Sequence, residues 1–270
     1  MTFHIEVASG GTALAAEIVG SGPLVVFLHA NVCDRRMWRA QLDALGANCR
    51  AVAYDRRGFG ESSRATGDHS AVADLVAVLD AVADKSPAIL VGCSQGANIA
   101  LGAALMHPSR VCGLVLISPT VAGAPAAAYP PDLLEMVARQ GRVEAAGDLD
   151  RLNDIKARLF LDGPLAPEGR VQGATRRLFL DMNGIALRST PGSVNRDDWP
   201  VYGRLGEIAV PSQVMWGALD FPHIQERGRA VASMLPDALG RELPDAAHLP
   251  NLDRPEAVTS LIADLVGRCA

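Results

Sequence analysis

Three residue types far apart in the chain have the chemistry to cleave an acyl bond together. Ser94 stands in "AILVGCSQGANIALG" (88–102), where an apolar run stops at Gly92 and a helix-like run begins after Gly96. At a strand-to-helix junction, Gly-x-Ser-x-Gly has a mechanical meaning. The serine sits on a sharp, strained turn, and its neighbours two positions away must be small or the strand and helix collide. The turn also aims the first helical N–H groups at whatever lies over the serine. The competing reading is a plain polar residue in a turn. To attack a carbonyl, the serine needs a base, and the base needs an orienting acid.

Of the six histidines, His248 in "PDAAHLPNLDRP" falls in a loop between the last strand and the last helix. Loops at the carboxyl ends of parallel strands are where ligand sites gather. His29 ends the run "VVFLHA" and reads as a structural histidine pinning a loop. His107 reads as a cap on the helix after Ser94, and His4, His69 and His223 as edge-strand or exposed-turn residues. For the acid, Asp220 ends the strand "SQVMWGALD". The other acid slot, after the strand 112–118, carries Ser118 and Thr120. Asp245 and Asp253 flank His248, with Asp253 expected to engage Arg254 or the helix start. The order Ser94, Asp220, His248 then makes a serine triad. Cys93, beside Ser94, is a rival nucleophile whose side chain should point away.

The elements that must hold these residues alternate. "FHIEVA" and "ALAAEIVG" read as strands joined by a Gly10-Gly11 turn. "PLVVFLHA" (23–30) is a continuous apolar run, as in a strand covered on both faces. A helical segment 37–47, a strand 49–55, a helix 68–85 with Val72, Leu75, Val76 and Leu79 on one face, and strands at 88–92 and 112–118 follow. This rhythm predicts an α/β domain with a mainly parallel sheet and helices on both faces. It breaks at Pro119. From about Asp132 to Ser189 the chain reads as helices without strands, and strands return at 210–220 and about 239–243. The expected division is a core of 1–119 and 206–270, with a helical cap over 120–205.

Composition narrows the function. The 270 residues are 49% hydrophobic, enough for a large core, and the net charge of −5 offers no footprint for nucleic acid or a membrane surface. The N-terminus lacks a signal-peptide pattern, and no apolar run is long enough to cross a bilayer. Five widely spaced cysteines read as free thiols of a cytoplasmic protein. No Cys-x-x-Cys or His-x-x-x-His pattern suggests a metal.

Five motifs in order, "FLHANVCDRRMW", "YDRRGFGES", "GCSQG", "WGALD" and "AAHLPNLDRPEAV", resemble those of the α/β-hydrolases, in the esterase, lactonase and C–C hydrolase group. The resemblance covers nearly the whole chain outside the insertion and is closest to enol-lactonase-like hydrolases. It implies an eight-stranded, mostly parallel sheet, and backbone N–H groups of Asn31 and Gln95 as an oxyanion hole. His29-Ala30 departs from the family's His-Gly, so the loop path is expected to differ slightly. Ser94 departs from the aspartate of members that open epoxides.

The expected activity is hydrolysis of a small ester or lactone through an acyl-enzyme on Ser94, with no cofactor and no metal, by a monomer or homodimer. The alternatives are a C–C hydrolase of β-diketone-like ring-cleavage products and a ligand receptor with a slow triad. In the insertion, Arg139, Arg142, Arg158, Arg176 and Arg177 are candidates to meet a substrate carboxylate. Met136, Phe160, Phe179, Leu180 and Met182 are candidates to line an apolar pocket.

Overall fold

The computed structural model describes residues 2–63, 67–83, 86–189 and 194–269. Strands β1 (Thr2–Ser9), β2 (Thr12–Val19), β3 (Leu24–Leu28), β4 (Arg50–Tyr54), β5 (Ala88–Cys93), β6 (Val111–Ile117), β7 (Ser212–Gly217) and β8 (Ala238–Leu243) form one sheet in the order β1-β2-β4-β3-β5-β6-β7-β8. The β1–β2 and β2–β4 pairs are antiparallel and the rest parallel. Gly10 and Gly11 close the first hairpin at φ 47° and 78°, values open to glycine.

The helices are α1 (Arg39–Leu45), α2 (Ala71–Val82), α3 (Gln95–Met106), α4 (Pro131–Ala145), α5 (Leu149–Lys156), α6 (Gly173–Arg188), α7 (Pro222–Met234), α8 (Pro250–Asp253) and α9 (Pro255–Cys269). Alternate side chains of the central strands feed two cores. Val26, Leu28 and Leu90 pack with α2, α3 and α7, whereas Val25, Phe27, Ile89 and Val91 pack with α1 and α9. Helix α2 buries Val72, Leu75, Val78, Leu79 and Val82, with Val76 only half-buried. Asp84 and Lys85, expected in this helix, lie outside the described residues. The expected helix 37–47 is a 3-10 turn, Arg35–Trp38, leading into α1.

Between β6 and β7 lie α4, α5, a π-helical turn (Ala157–Asp162) and α6, with no strand among the described residues of this segment. The amphipathic pattern of α4 and α5 is what makes them helices. Leu133, Val143 and Leu152 face inward and charged residues face out. No described helix is long and apolar enough to cross a membrane.

Three parallel strands bring the loops of interest to one edge. Leu28 of β3 is level with Gly92 of β5, and Cys93 with Ile117 of β6. Close packing at this edge explains the glycines around Ser94. A Cβ on Gly92 would lie 2.5 Å from Ala97 N, and one on Gly96 2.2 Å from Leu28 O. The loop after β3 is held by His29, which is fully buried as the neutral ring. Its Nδ1–H donates to Ala30 O (2.8 Å) and its Nε2 accepts the Arg56 N–H (2.9 Å). Burial first, then the Arg56 charge, hold its pKa well below 6.5. Ala30 is not among the residues with positive φ, so alanine carries no left-handed backbone strain there.

Two outcomes follow for stability. Gly96→Ala forces its Cβ against backbone that cannot swing away, so unfolding by urea should show a loss of about 2–3 kcal/mol. His29 should make the protein acid-sensitive. Its folded pKa lies below its unfolded one, so the unfolded chain takes up the proton first as pH falls. Stability is full above pH 6.5 and is lost progressively below it. His29→Gln should flatten the fall in stability between pH 6.5 and 5 by up to about 1.4 kcal/mol per pH unit. Equal slopes in both proteins would contradict this.

Candidate active site

Ser94 occupies the single residue between β5 and α3, at φ 54° and ψ −113°. A non-glycine residue there costs about 1–3 kcal/mol unless its surroundings hold it. Here the Ser94 N–H donates to Ile117 O (2.8 Å), and its carbonyl accepts the N–H groups of Ala97 (3.0 Å) and Thr120 (3.3 Å). Its side chain is not sealed off: the residue keeps 8% exposure.

His248 lies in the loop between β8 and α8, nearly buried. Its Nδ1 stands 2.9 and 3.0 Å from the two carboxylate oxygens of Asp220. With Nδ1 donating to the carboxylate, Nε2 is the ring nitrogen left to accept a proton. Asp220 does not end a strand, as the sequence reading has it. β7 stops at Gly217, and Asp220 closes a turn by its N–H to Gly217 O (3.2 Å). The chain leaves β7 early because Ala218 and Leu219 turn to bond Leu243 O and Ala246 O, both at 2.9 Å, which joins the acid turn to the histidine loop. Asp220 Oδ1 also accepts the Phe221 N–H (2.7 Å), fixing the carboxylate for His248. Cys93 Sγ lies 3.8 Å from the His248 carbonyl, so the elbow and this loop touch. Burial pushes the Cys93 thiol far up, which leaves it un-ionised and a poor rival nucleophile.

Asn31 follows the buried His29 loop. The turn there is closed by the Cys33 N–H on Ala30 O (3.1 Å), which does not use the Asn31 N–H. Gln95 is the first residue of α3, where N–H groups have no intrahelical acceptor. The register of β3 with β5 puts both at the same sheet edge.

The segment after β6 reaches the site through its π-helical turn. The Phe160 ring packs edge-on against His248 (5.2 Å between centroids) and tilted against Phe221 (5.5 Å). Leu133, Leu159, Phe221 and Ile224 form a small core with Tyr129, Met136 and Phe160 at its border. Gly163 ends the turn at φ 100°, and a Cβ there would lie 2.4 Å from Leu219 O, beside Asp220. Phe179 and Met182 are core residues.

Several side chains differ from expectation. Asp253 pairs chiefly with Arg170 (2.6 Å), while Arg254 stands 3.9 Å away. Arg170 also donates to Leu161 O, Asp162 O and Asp245 O, so it ties the π-helical turn to the histidine loop. A long-range partner of this kind leaves no local sequence signal. Of the candidate arginines, Arg158 binds the carbonyls of Gly163, Pro164 and Ala166, Arg176 binds the buried Asp162, and Arg142 pairs with Glu135. Arg139 and Arg177 are exposed. His223 is not in an exposed turn but in the first turn of α7, half-buried against Tyr129 and Phe221. Burial, then Arg227, push its pKa down to about 4. His107 ends α3 through its backbone N–H on Ala103 O. No group of three His, Cys, Asp or Glu residues is arranged to hold a metal ion among the described residues.

A model of the "Alpha/beta hydrolase family" matches residues 25–261. BpoC of Mycobacterium tuberculosis, which carries the name of a non-heme bromoperoxidase, is 30% identical over 92% of this chain and 95% of its own. The 3-oxoadipate enol-lactonase 1 of Acinetobacter baylyi is 26% identical over 95% of this chain and 94% of its own. A thermophilic esterase from Thermogutta terrifontis, 24% identical, superposes with a TM-score of 0.76 over 99% of both chains, a likeness of fold. The match runs from β3 into α9 and takes in the loops that carry Asn31, Ser94, Asp220 and His248, so this chain is a hydrolase of the alpha/beta hydrolase family.

Proposed function

We propose that the protein hydrolyses a small carboxylic ester or lactone through an acyl-enzyme on Ser94. The observation that carries this reading is the buried contact of His248 Nδ1 with both oxygens of Asp220, together with a serine held at the strand–helix turn next to Cys93, which touches the histidine loop. Asp220 fixes the tautomer that leaves Nε2 free as base and stabilises the imidazolium that forms. Ser94 Oγ attacks the carbonyl carbon as its proton passes to His248. The oxyanion is met by the N–H groups of Asn31 and Gln95, each worth about 3 kcal/mol in a dry site. His248 then returns the proton to the leaving alkoxide and activates the water that releases the acid. The chemistry needs no cofactor. Serine at the elbow, in place of aspartate, separates this reading from epoxide opening.

Residues 120–205 form the cap in this reading. Phe160 covers one side of the His248 ring, where it excludes water and borders the acyl group.

Ser94→Ala should fold normally and lower ester turnover by roughly 10⁴- to 10⁶-fold, read as kcat on a chromogenic ester. Asp220→Asn should lower kcat by about 10⁴-fold by favouring the wrong His248 tautomer. The comparison that sinks the acid assignment is Asp245→Asn or Asp253→Asn: either one costing more kcat than Asp220→Asn would do so. For the cap, Phe160→Ala and Met136→Ala should shift the ranking of straight-chain esters toward longer acyl groups by about 1–3 kcal/mol in kcat/KM. An unchanged ranking would remove the cap as selector.

A further inference from the structure

In the turn "YDRRGFGES" (54–62) the charged side chains other than Arg56, and Ser62, have internal partners, whereas the buried Tyr54 hydroxyl has none among the described residues. Asp55 is buried against Arg35 and accepts the N–H groups of Arg35 (2.7 Å) and Glu61 (2.9 Å). Arg57 grips Asp74 with two bonds of 2.6 and 2.7 Å. Glu61 pairs with Arg35, and Ser62 bridges Asp55 O and the Ala15 N–H. Gly58 and Gly60 take positive φ. The guanidinium of Arg56 is the exception. It donates to Asn31 Oδ1 (2.8 Å) and lies 4.6 Å over the Phe59 ring, and its Nε is buried without a partner. Among the described residues no carboxylate pairs with it.

A cation held inside a protein without a counter-charge is costly, and removing such a charge from its partner is what makes ion-pair mutants unstable. Burial pushes the Arg56 pKa down to about 10, so it remains charged at neutral pH. The residue nonetheless retains accessible surface. A deep, charged and partly accessible guanidinium, lacking an internal anion, is suited to take one from a ligand. Its place is beside the loop of Asn31, at the same sheet edge as Ser94, and Cys33 lies within electrostatic reach of both Arg56 and Cys93.

We infer that Arg56 binds a carboxylate carried by the acyl part of the substrate, so that the substrates are anionic half-esters or lactones with a free acid group. The inference rests on the proposed ester or lactone hydrolysis and names its substrate class. The planar guanidinium supplies paired donors to a carboxylate, while Asn31 and Phe59 hold its plane. The arginines of the segment after β6 are less suited, because those not engaged internally are exposed.

The test compares release of 4-nitrophenol from the 4-nitrophenyl half-ester of glutaric acid and from its methyl ester, in which a methyl group replaces the charge. The wild-type protein should favour the half-ester in kcat/KM by about tenfold or more. Arg56→Gln should lower that ratio by about 10- to 100-fold, mostly through KM, and Arg56→Lys should retain part of it. Glutarate should bind the Ser94→Ala protein by calorimetry, and this binding should be lost when Arg56→Gln is added. Turnover of the methyl ester with no preference for the charged one, or a ratio unchanged by Arg56→Gln, overturns the inference and leaves the hydrolase reading intact. Arg56-dependent glutarate binding with neither ester turned over supports the anion site and overturns the hydrolase reading instead. The wild-type ratio requires no variant, so a misfolded Arg56→Gln protein still leaves the inference open to refutation.

Discussion

The backbone of Ser94 is held at φ 54° and ψ −113°, and much of the surrounding architecture follows from maintaining that turn. β5 lies between β3 and β6 in the middle of the sheet, so the residue before the turn is locked on both sides. The residue after it begins a helix pressed on Leu28 so closely that Gly96 admits no Cβ. Strain at one residue persists because a core made of Val25, Phe27, Ile89 and Val91 on one face and Val26, Leu28 and Leu90 on the other will not shift to relieve it. The serine is thereby presented at the edge where the other loops meet.

The loops at that edge are secured by charge as well as by packing. Asp55 with Arg35, and Arg57 with Asp74, are buried pairs that clamp the turn after β4 onto its neighbours. Pairs of this kind specify one geometry more than they add net stability, because desolvation offsets much of the attraction. For Asp55 burial outweighs Arg35 and raises its pKa to about 6. Across the site, Arg170–Asp253 joins the segment after β6 to the histidine loop, and Arg36 joins Asp34 of the β3 loop to Asp181 of α6. The Arg36–Asp181 contact is half-exposed and worth within about 1 kcal/mol, so its role is alignment.

Within the family, the sheet carries the reacting groups and the segment between β6 and β7 meets them from one side. Fold alone does not select a substrate, and the relatives' differing names show as much. In the proposed reaction, selection falls to side chains beside the reacting groups: Phe160 against His248, and Arg56 beside Asn31.

Ser94, its two glycines, the strand order of events and the helical nature of the segment after Pro119 were legible in the sequence, because each depends on residues within a few positions of one another. Hydrophobic runs and turn residues report local conformation, and the five ordered motifs reported the family. Tertiary structure alone decided where β7 ends and how Asp220 turns, since that follows from backbone bonds to Leu243 and Ala246, more than 20 positions away. It also decided that Asp253 meets Arg170 more closely than its neighbour Arg254, that Phe160 sits on a π-helical turn against His248, and that His223 is half-buried. Arg56 and Arg57 are adjacent and chemically identical in sequence. Only the packing of α2 gives one of them a carboxylate and leaves the other without, because a charge's partner is set by distance in space and not along the chain.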